Sequence, residues 1–364
     1  MHTTVTKEAL LQQLELISRI STKHATLPVL QCVLISATDT GLTLTATNLE
    51  IGIETVLSAT TEETGVIAVP AGVLTQTINY ISEKDITLKT EDTVLVVESS
   101  GSETTINSIP HDEFPTIPKL NSKGQPIQTE LFALGIKSVG FAASVSSIKP
   151  ELGSVYITQK KEHTLTFVAT DSFRLMEKHV PQKGLSLDDS VLIPHKNALE
   201  LARVCEQIDS PAELMINENQ CALQFENGLY ITSRLTNGSF PDYVQIIPKE
   251  YTTHSTLLKA DLQNAFKKTN IFLNKFLQVT LTATDTALTS SANNGEVGRT
   301  TESIKAQTEG EELTVSFNQR YLAEPLSHIT DDSVVLHFAG IGRPLVIEGV
   351  NDKTVRYLVM PMNK

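Results

Sequence analysis

The sequence predicts an α+β protein made of three tandem copies of one domain, each with two helices packed on antiparallel sheet. Three observations carry that prediction. Val33–Asn48, VLISATDTGLTLTATN, returns as Val279–Asn294, VTLTATDTALTSSANN, with nine of sixteen residues identical at an offset of 246. Midway, TLTFVATD places Asp171 123 residues after Asn48 and 123 before Asn294. A second marker keeps the same step: Pro70 in VIAVPAGVLTQTI, Pro194 in VLIPHKNALELA and Asn318 in TVSFNQRYLAEPL follow one another at intervals of 124. A period of about 120 residues is too long for a solenoid repeat and has the size of a whole domain.

Each copy then reads in the same order. An amphipathic stretch opens it: Glu8–Ile20 with Leu10, Leu11, Leu14 and Ile17, then Glu130–Ala143, then Asp261–Phe272. Apolar residues three and four apart give a helix with one buried face. Segments with period-two alternation follow, such as Leu42–Ala46 and Thr164–Val168, and predict strands with one buried side. After the proline or asparagine landmark comes a second helix, over Ala71–Ser82, His195–Gln207 and Gln319–Ile329. Pro325 falls inside the last of these and is expected to kink or shorten it. Further strands close each unit, for example Thr93–Val97, Gln220–Phe225 and Arg343–Glu348. Lys119–Pro126 and Pro248–Thr253 read as linkers, which gives domains at 1–121, 127–248 and 249–364.

Composition narrows the class. No stretch approaches 18 consecutive apolar residues, so no membrane span or membrane partner is expected. MHTTVTKEALLQQLEL lacks a basic region followed by an apolar run, so a secretory signal is not expected and a cytoplasmic location is. Cys32, Cys205 and Cys221 form no CxxC pair and are expected to be buried, reduced thiols. The net charge of −13 argues against nucleic acid when taken alone. Residues 8–23, 71–82, 130–149, 195–207, 260–275 and 319–329, the helices with their flanks, nevertheless sum to +3, so a surface lined by them would be electropositive within an acidic protein. Ordinary solvated helices would give the same sum. The cations that would mark such a surface are Lys23, Lys137, Lys149, Lys196, Arg203, Lys267, Lys268 and Arg320.

Catalytic signatures are missing. There is no GxSxG, HExxH or phosphate loop, and Gly340-Ile-Gly342 is too short to be a nucleotide-binding turn. The histidines show no ligand spacing, so neither a metal nor another cofactor is expected. Asp171 and Arg174 could be an acid and a clamp, but Asn48 and Asn294 occupy the places equivalent to Asp171, which favours a turn. A protein without catalytic activity is the reading that follows. A hydrolase or nucleotidyl enzyme, and a peptide-binding scaffold unrelated to DNA, are the rivals.

Ala169-Thr-Asp-Ser-Phe-Arg-Leu175, Phe240-Pro-Asp-Tyr-Val-Gln-Ile-Ile-Pro248 and Tyr357-Leu-Val-Met-Pro-Met362 carry a further signal. With Thr26-Leu-Pro-Val-Leu30 and Asp112-Glu-Phe-Pro115, they closely resemble the bacterial DNA polymerase III beta-subunit family, the replicative sliding clamps. The resemblance runs through all three copies. It implies two protomers joined head to tail in a ring around duplex DNA, with twelve helices on the inner wall and sheets outside. Loose phosphate contact without base readout would let such a ring slide. The implied partners are duplex DNA, a second copy of the chain, the DNA polymerase III catalytic subunit, an ATP-dependent clamp loader, and other polymerases and repair proteins that dock a short hydrophobic motif. A paralogous clamp with a specialised repair or resistance role fits the same resemblance.

Carried over position by position, the docking pocket would use Leu152, Thr170, Ser172, Phe173, Arg174, Leu175, Pro241, Ile246, Pro344, Leu358, Met360, Pro361 and Met362. Methionines suit a surface that adapts to different peptides. Lys23 and His24 stand where relatives carry a basic residue before Thr26-Leu-Pro28, and Phe173 where they often carry His or Tyr. Ile106, Ile271 and Phe272 match the family's dimer-interface positions.

Overall fold

The computed structural model describes residues 1–21, 27–146 and 148–362. Among them are six α-helices, two per copy: α1 (Lys7–Ile17), α2 (Ala71–Tyr80), α3 (Thr129–Gly140), α4 (His195–Gln207), α5 (Lys259–Thr269) and α6 (Gln319–Ala323). The periodicity that predicted α1 is the one the fold uses: Leu10, Leu14 and Ile17 are fully buried, and α1 packs against α2. Burial of each such side chain contributes about 1.5–3 kcal/mol. Pro325 shortens its helix as expected. α6 stops at Ala323 and continues as a 3₁₀ turn, Glu324–Ser327, in which Pro325 is buried. The 124-residue landmark marks the place where a strand turns into a helix. In the third copy Asn318 caps α6 by accepting the Arg320 amide at 3.0 Å.

The structure adds a strand in front of each copy's first helix: His2–Thr6, Gln125–Ile127 and Thr253–Leu258. Two of them fall on or border the stretches read as linkers, being short or rich in Thr and lacking a clear alternation. The Asp171 turn also resolves as the asparagines suggested. Asn48 Oδ1 accepts the Glu50 and Ile51 amides at 3.0 and 2.9 Å, Asp171 Oδ1 accepts those of Phe173 and Arg174 at 2.9 and 3.0 Å, and Asn294 Oδ1 accepts that of Glu296 at 3.0 Å.

By contacts the chain forms two compact units, Met1–Thr129 with Arg203–Leu235, and Glu130–Ala202 with Thr236–Lys364. The first unit holds a five-stranded sheet ordered Thr60–Glu63, His2–Thr6, Asp85–Glu91, Val94–Ser99, Ser102–Asn107. It also holds an eight-stranded sheet in which Tyr230–Arg234, the last strand of the second copy, pairs antiparallel with Ile51–Leu57, the strand after the Asn48 turn. The second unit holds a twelve-stranded sheet. There Val355–Val359, the last strand of the third copy, pairs antiparallel with Arg174–Pro181, the strand after the Asp171 turn. Both joints between successive copies are therefore built alike, with the last strand of one copy added to the strand that follows the turn in the copy before it.

Candidate partner-binding face and assembly edges

The register at the second joint places Thr170, Leu175, Leu358 and Val346 side by side across four strands. Leu175, Leu358 and Val346 are buried in one cluster with Val168 and Tyr243. Tyr243 belongs to a 3₁₀ turn, Tyr243–Ile246, laid on this face of the sheet. The turn leaves Ile246 49% exposed, with Pro241 and Val244 also facing solvent. Phe173 is 62% exposed, and its carbonyl accepts the Met360 amide at 2.8 Å. Pro344 precedes Leu345, which pairs with Val359, so Pro344 lies at the Met360 end of the strands. Pro361 and Met362 are half-buried, and the Met362 amide donates to the Ser316 carbonyl at 2.8 Å. Thr170 is spent on the turn: its hydroxyl donates to the Arg174 carbonyl at 2.6 Å and accepts the Ser172 amide at 3.2 Å. Ser172 takes a φ of +77°, as does Leu49 in the first copy. Leu152 is buried, and its carbonyl accepts the Ser144 amide. Val244, although exposed on the same turn, lines a separate cavity with Ile247, Tyr251, His254 and His337.

Arg174 is held differently from its neighbours in the expected set. Its neighbour Leu175 faces Tyr243, so Arg174 points to the opposite side of the sheet, where it is buried. Its Nε donates to Asp171 Oδ2 at 3.0 Å, Nη1 to Glu324 Oε2, and Nη2 to the Phe141 carbonyl at 2.7 Å. The guanidinium also lies over the Tyr321 ring at 4.5 Å. Burial alone would lower its pKa, but the Glu324 and Asp171 carboxylates outweigh that and raise it. Arg174 is thus held by the Asp171 carboxylate that also closes the turn, the role the equivalent asparagines pointed to.

The basic residues divide. Lys137 on α3, Lys149, Lys196 on α4 and Lys267 on α5 are exposed. Lys268 pairs with Glu302 at 2.7 Å, and Arg320 with Glu324 at 2.6 Å. Arg203 serves the fold, since Nη2 donates to the Leu16 carbonyl at 2.8 Å and Nη1 to Gln207 Oε1 at 2.6 Å. Lys23 and His24 lie outside the described residues.

Two strands stand where a further joint of this kind would form: the last strand of the first copy and the strand after the turn in the third. Ser102–Asn107 ends its sheet, paired only with Val94–Ser99 among the described residues. The strand Gly298–Gly310 pairs with Ala287–Asn294 on one side along 298–305, and meets Thr253–Leu258 only from Ala306 onward. Beside its start lie Ile271, 66% exposed, and Phe272, whose ring would sit 3.5 Å from a Cβ placed on Gly298. Phe276 and Leu277 add exposed apolar surface that the sequence did not single out. Ile106 lies on Ser102–Asn107 and is only 5% exposed in the single chain, so what it offers at this edge is chiefly its main chain. Among the described residues no group of three or more His, Cys, Asp or Glu could hold a metal ion, and no helix is long and apolar enough to cross a membrane. The three cysteines are buried and free, and burial pushes Cys205 and Cys221 up to about 12.

Three like copies of a two-helix, antiparallel-sheet domain, joined by strand pairing between successive copies, define the class of protein. Sequence models of the DNA polymerase III beta subunit match the chain in three consecutive stretches, the N-terminal domain over residues 1–118, the central domain over 126–242 and the C-terminal domain over 244–363. The chain belongs to the DNA polymerase III beta-subunit family, the bacterial sliding clamps. It is 29% identical over 376 residues to the beta sliding clamp of Streptococcus pneumoniae strain R6, covering 100% of this chain and 99% of that one. It is 26% identical over 366 residues to the beta sliding clamp homolog GriR of Streptomyces muensis, covering 98% of each. The crystal structure of the DNA polymerase III subunit beta from Pseudomonas aeruginosa superposes with a TM-score of 0.94 at 27% identity over the whole of both chains.

Proposed function

We propose that this sliding clamp works as a ring of two copies joined head to tail, closed around duplex DNA, and that it holds the DNA polymerase III catalytic subunit and other DNA-processing proteins at the face around Leu175 and Leu358. The observation that carries the ring is the repeated joint. Each copy but the first adds its last strand to the strand after the turn in the copy before it. The strands that this pattern leaves unmatched are Ser102–Asn107, the last of the first copy, and the 298–305 stretch, after the turn in the third. Pairing the first of one protomer with the second of another repeats the same joint and closes a two-fold assembly. Its domains would be those at 1–121, 127–248 and 249–364.

A closed ring can hold DNA by enclosure, so the weak cationic bias of Lys137, Lys149, Lys196 and Lys267 suits its task. Phosphate contact without base readout gives retention with sliding. Enclosure also requires that an ATP-dependent loader open the ring on circular DNA. In this reading the protein itself has no catalytic step and no cofactor, and works in the cytoplasm with the DNA. Partners would insert a short hydrophobic motif between the Pro241–Ile246 wall and the Met360–Met362 end. The test is retention after loading onto closed circular DNA, with loss when that DNA is linearised. Equal retention on both forms, or binding selective for one sequence, would contradict the proposal.

A further inference from the structure

Glu54 and Glu177 hold the same place in two copies, six residues after the Asn48 and Asp171 turns. In the first copy Glu54 Oε1 accepts Lys119 Nζ at 2.8 Å. That ammonium lies 4.0 Å above the Tyr230 ring, and the Tyr230 hydroxyl bonds to the Pro118 carbonyl and the Leu120 amide at 3.1 Å each. The connecting segment Pro118–Leu120 is thereby strapped onto the first joint. At the second joint Glu177, its side chain 6% exposed, accepts the Tyr243 hydroxyl on Oε2 at 2.5 Å. Its other oxygen lies 3.4 Å from His179 Nε2 and 3.6 Å from Arg356 Nη1. Burial acts to raise the Glu177 carboxyl, but the bonds from His179 and Tyr243 outweigh it and leave it below its ordinary range. The third copy carries Thr300 at this place, and Thr300 bonds to Glu302 in its own strand. The acidic strap therefore belongs to the two joints crossed by a connecting segment.

We infer that Glu177 is a positioning residue for the partner-binding face: through Tyr243 it fixes the turn Tyr243–Ile246, and with it the wall formed by Pro241 and Ile246. The inference deepens the partner-binding reading above and rests on it. The reason is mechanical. Tyr243 has one side against Leu175 and Leu358, while its backbone carries the wall, and the Tyr243 amide donates to the Pro241 carbonyl at 2.7 Å. Apolar packing alone lets the ring slide along the sheet, whereas a hydrogen bond to a buried carboxylate fixes its position along the strands.

The experiment uses the full chain and a peptide with a glutamine followed by a short hydrophobic stretch ending in Leu-Phe. Calorimetry is combined with amide hydrogen exchange. Tyr243→Phe keeps the ring and removes the hydroxyl. It is expected to weaken the peptide about tenfold, with faster exchange over 240–248 and no change over 115–120. Glu177→Gln can still accept the hydroxyl and should recover most of the affinity. The double variant should be no weaker than Tyr243→Phe. Undiminished affinity in Tyr243→Phe, or faster exchange in both connecting segments, overturns the inference. Met360→Asp separates the two readings. If it abolishes binding while Tyr243→Phe does nothing, the positioning role alone is wrong. If neither changes the affinity, the partner-binding face itself is misplaced.

Discussion

Asp171 and Arg174 are locked together at 3.0 Å from Oδ2 to Nε, while the other oxygen of the same carboxylate closes the turn on the Phe173 and Arg174 amides. The equivalent residues Asn48 and Asn294 close their turns with an amide oxygen and have no arginine to hold. Asp171→Asn should therefore keep the turn and lose the ion pair, at a cost of about 1–2 kcal/mol in urea unfolding. Asp171→Ala loses both and should cost more. Equal losses for the two variants would show that the charge contributes nothing.

The edge beside Gly298 gives a prediction about mass. Ile271 is largely exposed, so Ile271→Arg should leave the fold intact and desolvate a charge at the contact, giving single chains in light scattering. Phe272→Arg should also give single chains, with some loss of stability because its ring lies beside Gly298. A persistent dimer in both variants places the contact elsewhere.

Reversal of exposed lysines should act on DNA without touching the fold. Lys196→Glu with Lys267→Glu is expected to shorten retention on closed circular DNA and to flatten its salt dependence, since each phosphate contact adds about 0.9 to the slope. Arg203→Glu should instead lower thermal stability, because it removes the bond to the Leu16 carbonyl. If Arg203→Glu leaves stability unchanged, that bond does not support α1.

Deleting Met360–Lys364 removes the amide that bonds the Phe173 carbonyl and the one that bonds Ser316, both at the end of the sheet. The chain should remain folded and dimeric, and lose a peptide affinity in the micromolar range, about −8 kcal/mol. Calorimetry showing unchanged affinity would sink the assignment of Met360, Pro361 and Met362.

A pH effect follows from His337, whose Nδ1 lies 2.6 Å from His254 Nδ1. Burial lowers the His337 imidazole from 6.5 to about 4. The unfolded chain therefore takes up this proton first. Stability from this site is complete above about 6.5 and is lost as pH falls toward 4. His337→Gln should flatten the melting temperature across that window. A variant with the same slope as the unaltered chain would assign it to other groups.

Much of the fold was legible because its signals are local. The buried stripe of α1, the Asx turns and the shortening at Pro325 depend on residues within a few positions of one another. The strands His2–Thr6 and Gln125–Ile127 were not legible, since segments this short are stabilised by the neighbours they pair with and not by their own pattern. For the candidate site, the expected Leu175 and Leu358 meet in one cluster with Tyr243, whereas the side chains of Arg174 and Arg203 bond within the chain and that of Ile106 is buried.

By itself the sequence determined that one domain is repeated three times, with its helices and turns, because repeat spacing and hydrophobic period are properties of the chain. Only the tertiary structure decided which side chains are available for binding. Arg174 finds Glu324 150 residues away, and Arg203 finds Leu16 187 residues away. Strand register then turns Leu175 to one side of the sheet and Arg174 to the other. A side chain's direction and its distant partner are set by pairing across the fold, and no local pattern encodes them.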